Sequence, residues 1–152
     1  MTATGIKEKV VVQRIAWIEE MVRGIAGLPL DSLERFVADP RNVAAADSYL
    51  RRSLEALLDL GRHILARGFG RAATEYRDVA RQLLAAGVLT EDDARIMGEM
   101  AGYRNRLVHF YDEVTPPELY RICTERLSDV TTLVHALRMW IQRHPECVDR
   151  SL

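Results

Sequence analysis

The sequence predicts an all-α fold, an up-and-down bundle of four main helices plus a short one. Three observations carry this. Apolar residues recur at spacings of three and four along most of the chain, the period of a helix with one buried face. No stretch alternates apolar and polar residues with β-branched side chains, as a half-buried strand does. Prolines, with capping residues such as Asp39, Thr90 and Thr115, fall at the ends of the periodic segments rather than inside them.

Taken in order, Val11, Ile15, Ile18, Val22 and Ile25 make one stripe, predicting a first helix over residues 6–26 that Gly27 and Pro29 end. Asp31 and Glu34 suit the N-cap and third position of a short helix. Asp39-Pro40 pairs a capping acid with proline at a first helical position, where its missing N–H costs nothing. From there Val43, Ala46, Leu50, Leu54, Leu57, Gly61 and Ile64 share a face until Gly68-Phe69-Gly70. A shorter helix is expected over 74–86, closed by Gly87. Thr90 with Asp93 caps another over about 91–110. Thr115-Pro116-Pro117-Glu118 starts the last, whose stripe of Leu119, Cys123, Leu127, Val130, Val134, Leu137 and Ile141 reads as one continuous helix ending at His144-Pro145. Tight connections and the absence of repeats predict a single domain over 1–152.

Composition narrows the function. Of 152 residues, 28% are charged and 48% hydrophobic, which excludes a disordered chain. The longest apolar run, 83–89, is far too short to span a membrane, and charges at Lys7, Glu8, Lys9 and Arg14 break any leader-like apolar segment. The expectation is a cytoplasmic protein with no membrane partner. A net charge of −1 argues against the global basic footprint of a duplex-binding domain. Lys7 and Lys9 are the only lysines among 21 basic residues, leaving 19 arginines. A GC-rich genome or a use of arginine's planar fork on phosphate each account for that bias. Cys123 and Cys147 have no zinc-ligand spacing, and Cys123 sits on an apolar stripe, so no metal site is expected.

One segment departs from ordinary helix-face chemistry. Arg104, Asn105, Arg106, His109 and Tyr111 fall within eight residues at a helix C-terminal end. At about 100° per residue Arg104 and Tyr111 lie within about 20° of each other, whereas His109 is about 140° from Arg104 and about 60° from Arg106. A straight helix does not gather all four. Either the helix loosens near His109, or a second copy of the segment completes the cluster. RNA brings its own nucleophile, the 2′-hydroxyl; its cleavage requires a base, an acid and cationic donors for the phosphorane-like charge. Imidazole fills either proton-transfer role near neutral pH, and arginine supplies the donors. Two such roles from one histidine point to a two-fold dimer.

The segment Arg104-Asn105-Arg106-Leu107-Val108-His109-Phe110-Tyr111 resembles the R-x4-H-x-Y motif of the HepT-like HEPN ribonuclease toxins. Residues 49–65 are similar to that family's long second helix, and 69–76 and 83–88 to its following loop and short helix. The likeness runs over about 14–143. It implies a metal-independent endoribonuclease toxin, active as a homodimer with the site in the cleft between protomers. Arg104 and His109 match the catalytic pair, and Asn105 the polar position beside it. Arg106 is a weaker candidate for RNA contact, as are Arg51, Arg52, Arg62 and Arg71. Tyr111 matches the tyrosine to which a minimal nucleotidyltransferase antitoxin attaches AMP, consuming ATP and Mg²⁺ itself, so that this chain needs no cofactor. A different class of reading stays open: a non-catalytic binding module that presents substrate or nucleotide to the nucleotidyltransferase.

Overall fold

The structure, a computed structural model, describes residues 5–109 and 113–151. Seven α-helices follow one another among them: α1 (Glu8–Ala26), α2 (Leu33–Val37), α3 (Pro40–Phe69), α4 (Tyr76–Ala85), α5 (Glu91–Val108), α6 (Pro116–Glu125) and α7 (Leu127–Arg143). The all-α expectation holds, with α1, α3, α5 and α7 as the four long members. Among the described residues no helix is long and apolar enough to cross a membrane.

Local chemistry sets most of the helix starts. The Asp39 carboxylate accepts from the Arg41 N–H at 2.9 Å ahead of Pro40, and the Thr90 hydroxyl accepts from the Asp93 N–H at 3.2 Å. Thr115 does the same for the Glu118 N–H at 3.4 Å. The cap of α2 differs from expectation. Ser32, in extended backbone, accepts from the Arg35 N–H at 3.1 Å, while Asp31 pairs with the Arg35 guanidinium at 2.7 Å. Helix α3 ends as its glycines foretell: Gly70 takes a left-handed φ of 64°, and the Gly70 and Arg71 N–H groups cap Ala66 and Leu65.

Helix α3 is the centre of the molecule and packs against each of the other six helices. The single stripe read from the sequence understates it. Leu58, Leu60 and Leu65 are as buried as Leu50, Leu54, Leu57 and Ile64, so two faces of α3 are covered. Gly61 permits a close approach: a Cβ there meets Val79 Cγ1 of α4 at 2.7 Å. Phe36 of α2 is fully buried against Tyr120 of α6, whose hydroxyl donates to the Leu30 carbonyl at 2.9 Å.

Two further expectations are corrected. The last helix is not continuous, because Arg126 leaves helical geometry (φ −114°, ψ −3°) and separates α6 from α7. Its guanidinium reaches Glu99 at 3.0 Å and the Tyr103 hydroxyl at 3.2 Å, both on α5. The apolar spacing survives a break of one residue, so the stripe could not reveal it; Leu127, beside the break, is only half-buried. Strands, though not expected, occur in minimal form. Here β1 (Ile6–Lys7) pairs in parallel with β2 (Val148–Asp149), with Ile6 opposite Val148. Two residues are too few for an alternation signal.

This clasp carries a pH dependence. His63 of α3, half-buried, accepts the Lys7 N–H at Nε2 over 3.0 Å, which requires an unprotonated nitrogen. Burial, with Arg67, Arg14 and Lys7 nearby, pushes His63 below the ordinary imidazole range. The folded state therefore binds fewer protons than the unfolded chain. The stabilisation is fully present above the unfolded pKa of about 6.5 and is lost as pH falls from there through the lowered folded value. Hydrogen exchange at the Lys7 amide is expected to quicken, relative to its intrinsic rate, between pH 7.5 and 5. In His63→Gln, whose amide oxygen accepts without titrating, that change is expected to vanish.

Candidate active site

The segment singled out by its residues closes α5. No glycine or proline stops this helix; a tertiary pair does. The Arg106 guanidinium grips Glu118 at the start of α6 with two bonds, Nη1 to Oε2 at 2.6 Å and Nη2 to Oε1 at 2.7 Å, and Nη2 also donates to the Glu113 carbonyl at 3.3 Å. Arg106 in turn holds the Glu118 carboxyl below the usual range. This ties the end of α5, at Val108, to the start of α6. His109 follows in extended backbone (φ −108°, ψ 121°), exposed to solvent. Of the two alternatives, the helix does loosen at His109.

Arg104, one turn earlier, points to the body of the protein. Its Nη2 donates to Glu55 Oε2 of α3 at 3.2 Å, and its Nη1 to Asn105 Oδ1 at 3.4 Å. Its guanidinium carbon lies 4.7 Å from the ring centroid of Tyr76, the first residue of α4. Glu55 is shared with Arg51 at 2.8 Å. The Tyr76 hydroxyl donates to Asp59 at 2.8 Å, and burial together with that carboxylate pushes the phenol above its ordinary range.

On the other side, an open groove of 570 Å³ is lined by Asn105, Arg106 and His109 together with Gly102, Tyr103, Glu99, Arg77 and Arg126. Its walls are basic but largely compensated. Arg106 is gripped by Glu118, and Arg126 by Asp129 and Glu99, which keeps it charged at any accessible pH. Arg77 is the lightly held cation, 3.9 Å from Glu75 and 76% exposed.

The structure thus joins Arg104 to Asn105, and brings Asn105, Arg106 and His109 to one groove whose lining does not include Arg104. Tyr111 lies outside the described residues. Sequence reasoning missed Glu55, Asp59 and Tyr76 beneath Arg104, and Arg77 and Arg126 in the groove. The arginine and acid spacings on α3 read as a solvated helix face, and only the packing of α3, α4 and α5 reveals what they hold. Among the described residues no three carboxylate, imidazole or thiol groups converge on a possible metal position. Cys123 is core, its thiol pushed up to about 12 by burial.

The profile of the ribonuclease HepT-like family matches residues 13–137, most of the chain. The chain belongs to this family. Among curated proteins, this HepT-like chain is 22% identical over 139 residues to the tRNA nuclease HepT of Aphanizomenon flos-aquae, covering 91% of this chain and 94% of that protein. Among solved structures it resembles a tri-AMPylated HEPN toxin of Shewanella oneidensis in complex with an MNT antitoxin, with a TM-score of 0.78 and 22% identity, over 86% of this chain and 97% of that one. A toxin–antitoxin structure with AMP-PNP is similar at a TM-score of 0.77 and 20% identity, over 87% and 99%. So is YutE of Bacillus subtilis, a cytosolic protein of unknown function, at 0.75 and 17%, over 97% and 98%. At these identities the structural likenesses establish the shared fold alone.

Proposed function

We propose that this chain is a metal-independent endoribonuclease toxin, one domain over 1–152, active in the cytoplasm as a homodimer and controlled by a minimal nucleotidyltransferase antitoxin. The observation that carries the reading is the placement of Arg104-Asn105 and the exposed His109 at the C-terminal end of α5, in a chain of the HepT-like ribonuclease family. Arg104 offers its fork to the scissile phosphate and to the charge that builds on the phosphorane. One protomer's His109 takes the proton of the 2′-hydroxyl, whose oxygen attacks phosphorus. The partner's His109 returns a proton to the departing 5′-oxygen, leaving a 2′,3′-cyclic phosphate and a free 5′-hydroxyl. Asn105 steadies Arg104 through its side-chain oxygen and presents its amide to the groove. Arg106, already gripped by Glu118, contributes chiefly by fixing the backbone that carries His109. Arg77 draws RNA along the groove.

The test is a digest of single-stranded RNA by the purified, unmodified protein in excess EDTA. Products ending in 2′,3′-cyclic phosphate are expected. Binding of RNA without cleavage would instead favour the module that presents substrate or nucleotide to its partner enzyme.

Control is assigned to Tyr111. Adenylate there adds negative charge and bulk two residues from His109 and repels RNA. The Shewanella oneidensis toxin of the same fold is tri-AMPylated, which supports the reading. Incubation with the cognate nucleotidyltransferase, ATP and Mg²⁺ is expected to add adenylate mass to the peptide containing Tyr111 and to silence cleavage. Modification confined to other residues would overturn the assignment.

A further inference from the structure

The surroundings of Arg104 form a built seat. Its guanidinium lies over the Tyr76 ring at 4.7 Å, with Glu55 on one terminal nitrogen at 3.2 Å and Asn105 on the other at 3.4 Å. The ring is held from the far end, its hydroxyl bonded to Asp59 at 2.8 Å. Arg62 closes on the same ring, its guanidinium carbon 5.3 Å from the centroid. These partners come from α3 and the first residue of α4, so three helices must pack correctly to assemble them.

From this geometry we propose that Tyr76, locked by Asp59, and Glu55 are positioning residues that set the plane and direction of the Arg104 guanidinium for phosphate. The assignment rests on the ribonuclease reading above.

Three physical points carry it. First, a free arginine side chain has about 2 kcal/mol of rotamer entropy to lose, and a seat that removes it in advance spares that cost when the fork closes on the charge of the transition state. Secondly, a guanidinium has five N–H groups. With one hydrogen of each terminal nitrogen engaged by Glu55 and Asn105, each retains one for an incoming phosphate oxygen. Thirdly, the cluster does not cancel its own charge. Arg51, Arg62 and Arg104 stand against Glu55 and Asp59, a local excess of one positive charge. Because Glu55 is also held by Arg51 at 2.8 Å, its carboxylate orients Arg104 without confronting phosphate as an uncompensated anion.

A purely architectural role for these residues predicts a different pattern, since loss of packing lowers stability and does not single out the chemical step. The experiment uses the full-length protein with Tyr76→Leu, Tyr76→Phe, Asp59→Asn and Glu55→Gln. It measures kcat and KM on an RNA oligonucleotide in EDTA, together with thermal unfolding and the Arg104 guanidinium ¹⁵N–¹H signals. Tyr76→Leu is expected to lower kcat about 10- to 100-fold, as a misplaced group does. KM is expected to stay within about 2-fold, because the interaction is realised in the transition state. Tyr76→Phe, which keeps the platform, and Asp59→Asn, which keeps an acceptor for the Tyr76 hydroxyl, hold kcat within about 3-fold of wild type, with Glu55→Gln between these and Tyr76→Leu. In wild type the Arg104 Nη signals are expected to be resolved by slow rotation, and averaged in Tyr76→Leu. Wild-type kcat in Tyr76→Leu, or equal losses in its Leu and Phe variants, would overturn the proposal. Should wild type fail to cleave RNA, the ribonuclease reading falls, and the Nη signals alone judge the seat: averaged already in wild type, they refute it.

Discussion

His109→Ala is expected to reduce RNA cleavage about 10³-fold or more while shifting stability by less than about 0.5 kcal/mol. The size follows from the chemistry, since a positioned acid or base contributes about 10²- to 10⁴-fold. In a symmetric dimer the substitution removes both the proton acceptor and the proton donor. The small stability effect follows from the fold. His109 is exposed, stands outside α5 and belongs to no part of the core, and exposed substitutions of that kind move stability little. The measurement is single-turnover cleavage in EDTA with a parallel thermal melt. A variant that still cuts at the wild-type rate would refute the assignment of proton transfer to His109. A variant that is inactive because it has unfolded would be visible in the melt.

Arg104→Lys is expected to cost about 10²- to 10³-fold in kcat although the charge is retained, the range seen when a preorganised transition-state donor is removed. An ammonium is a point charge on a flexible stem. It cannot sit over the Tyr76 ring, pair with both Glu55 and Asn105, and still present a planar fork to a phosphate. If positive charge alone mattered, lysine would restore most of the activity lost in Arg104→Ala, and near-wild-type kcat in Arg104→Lys would show that it does. RNA affinity is expected to fall far less than kcat in the lysine variant, because the remaining cations of the groove still attract the backbone.

Both predictions concern residues that could be named before the fold was known, but for different reasons. His109 was legible only in part: the sequence puts it inside a helix over about 91–110, and the wheel leaves either a loosened helix or a second copy of the segment to reconcile it with Arg104 and Tyr111, whereas the helix ends at Val108. Arg104 was legible through its motif alone, and nothing around it in the chain discloses its setting. Glu55 is 49 residues away, and its spacing from Arg51 is that of any solvated i,i+4 pair. Arg106 was the reverse case. Basic and inside the motif, it reads from the sequence as a phosphate contact; the packing adds that Glu118 grips it through two hydrogen bonds while it lines the groove.

What the chain by itself determined are the features that act over a few residues. The caps at Asp39, Thr90 and Thr115 start their helices because a side-chain oxygen need reach only a backbone N–H two or three positions on, and the apolar period marks the faces to be buried. Tertiary structure decided the break at Arg126, the second buried face of α3, the end of α5 and the seat of Arg104. Each depends on groups brought from distant positions when helices pack. The free energy of such contacts comes from desolvation and geometry that no local spacing encodes.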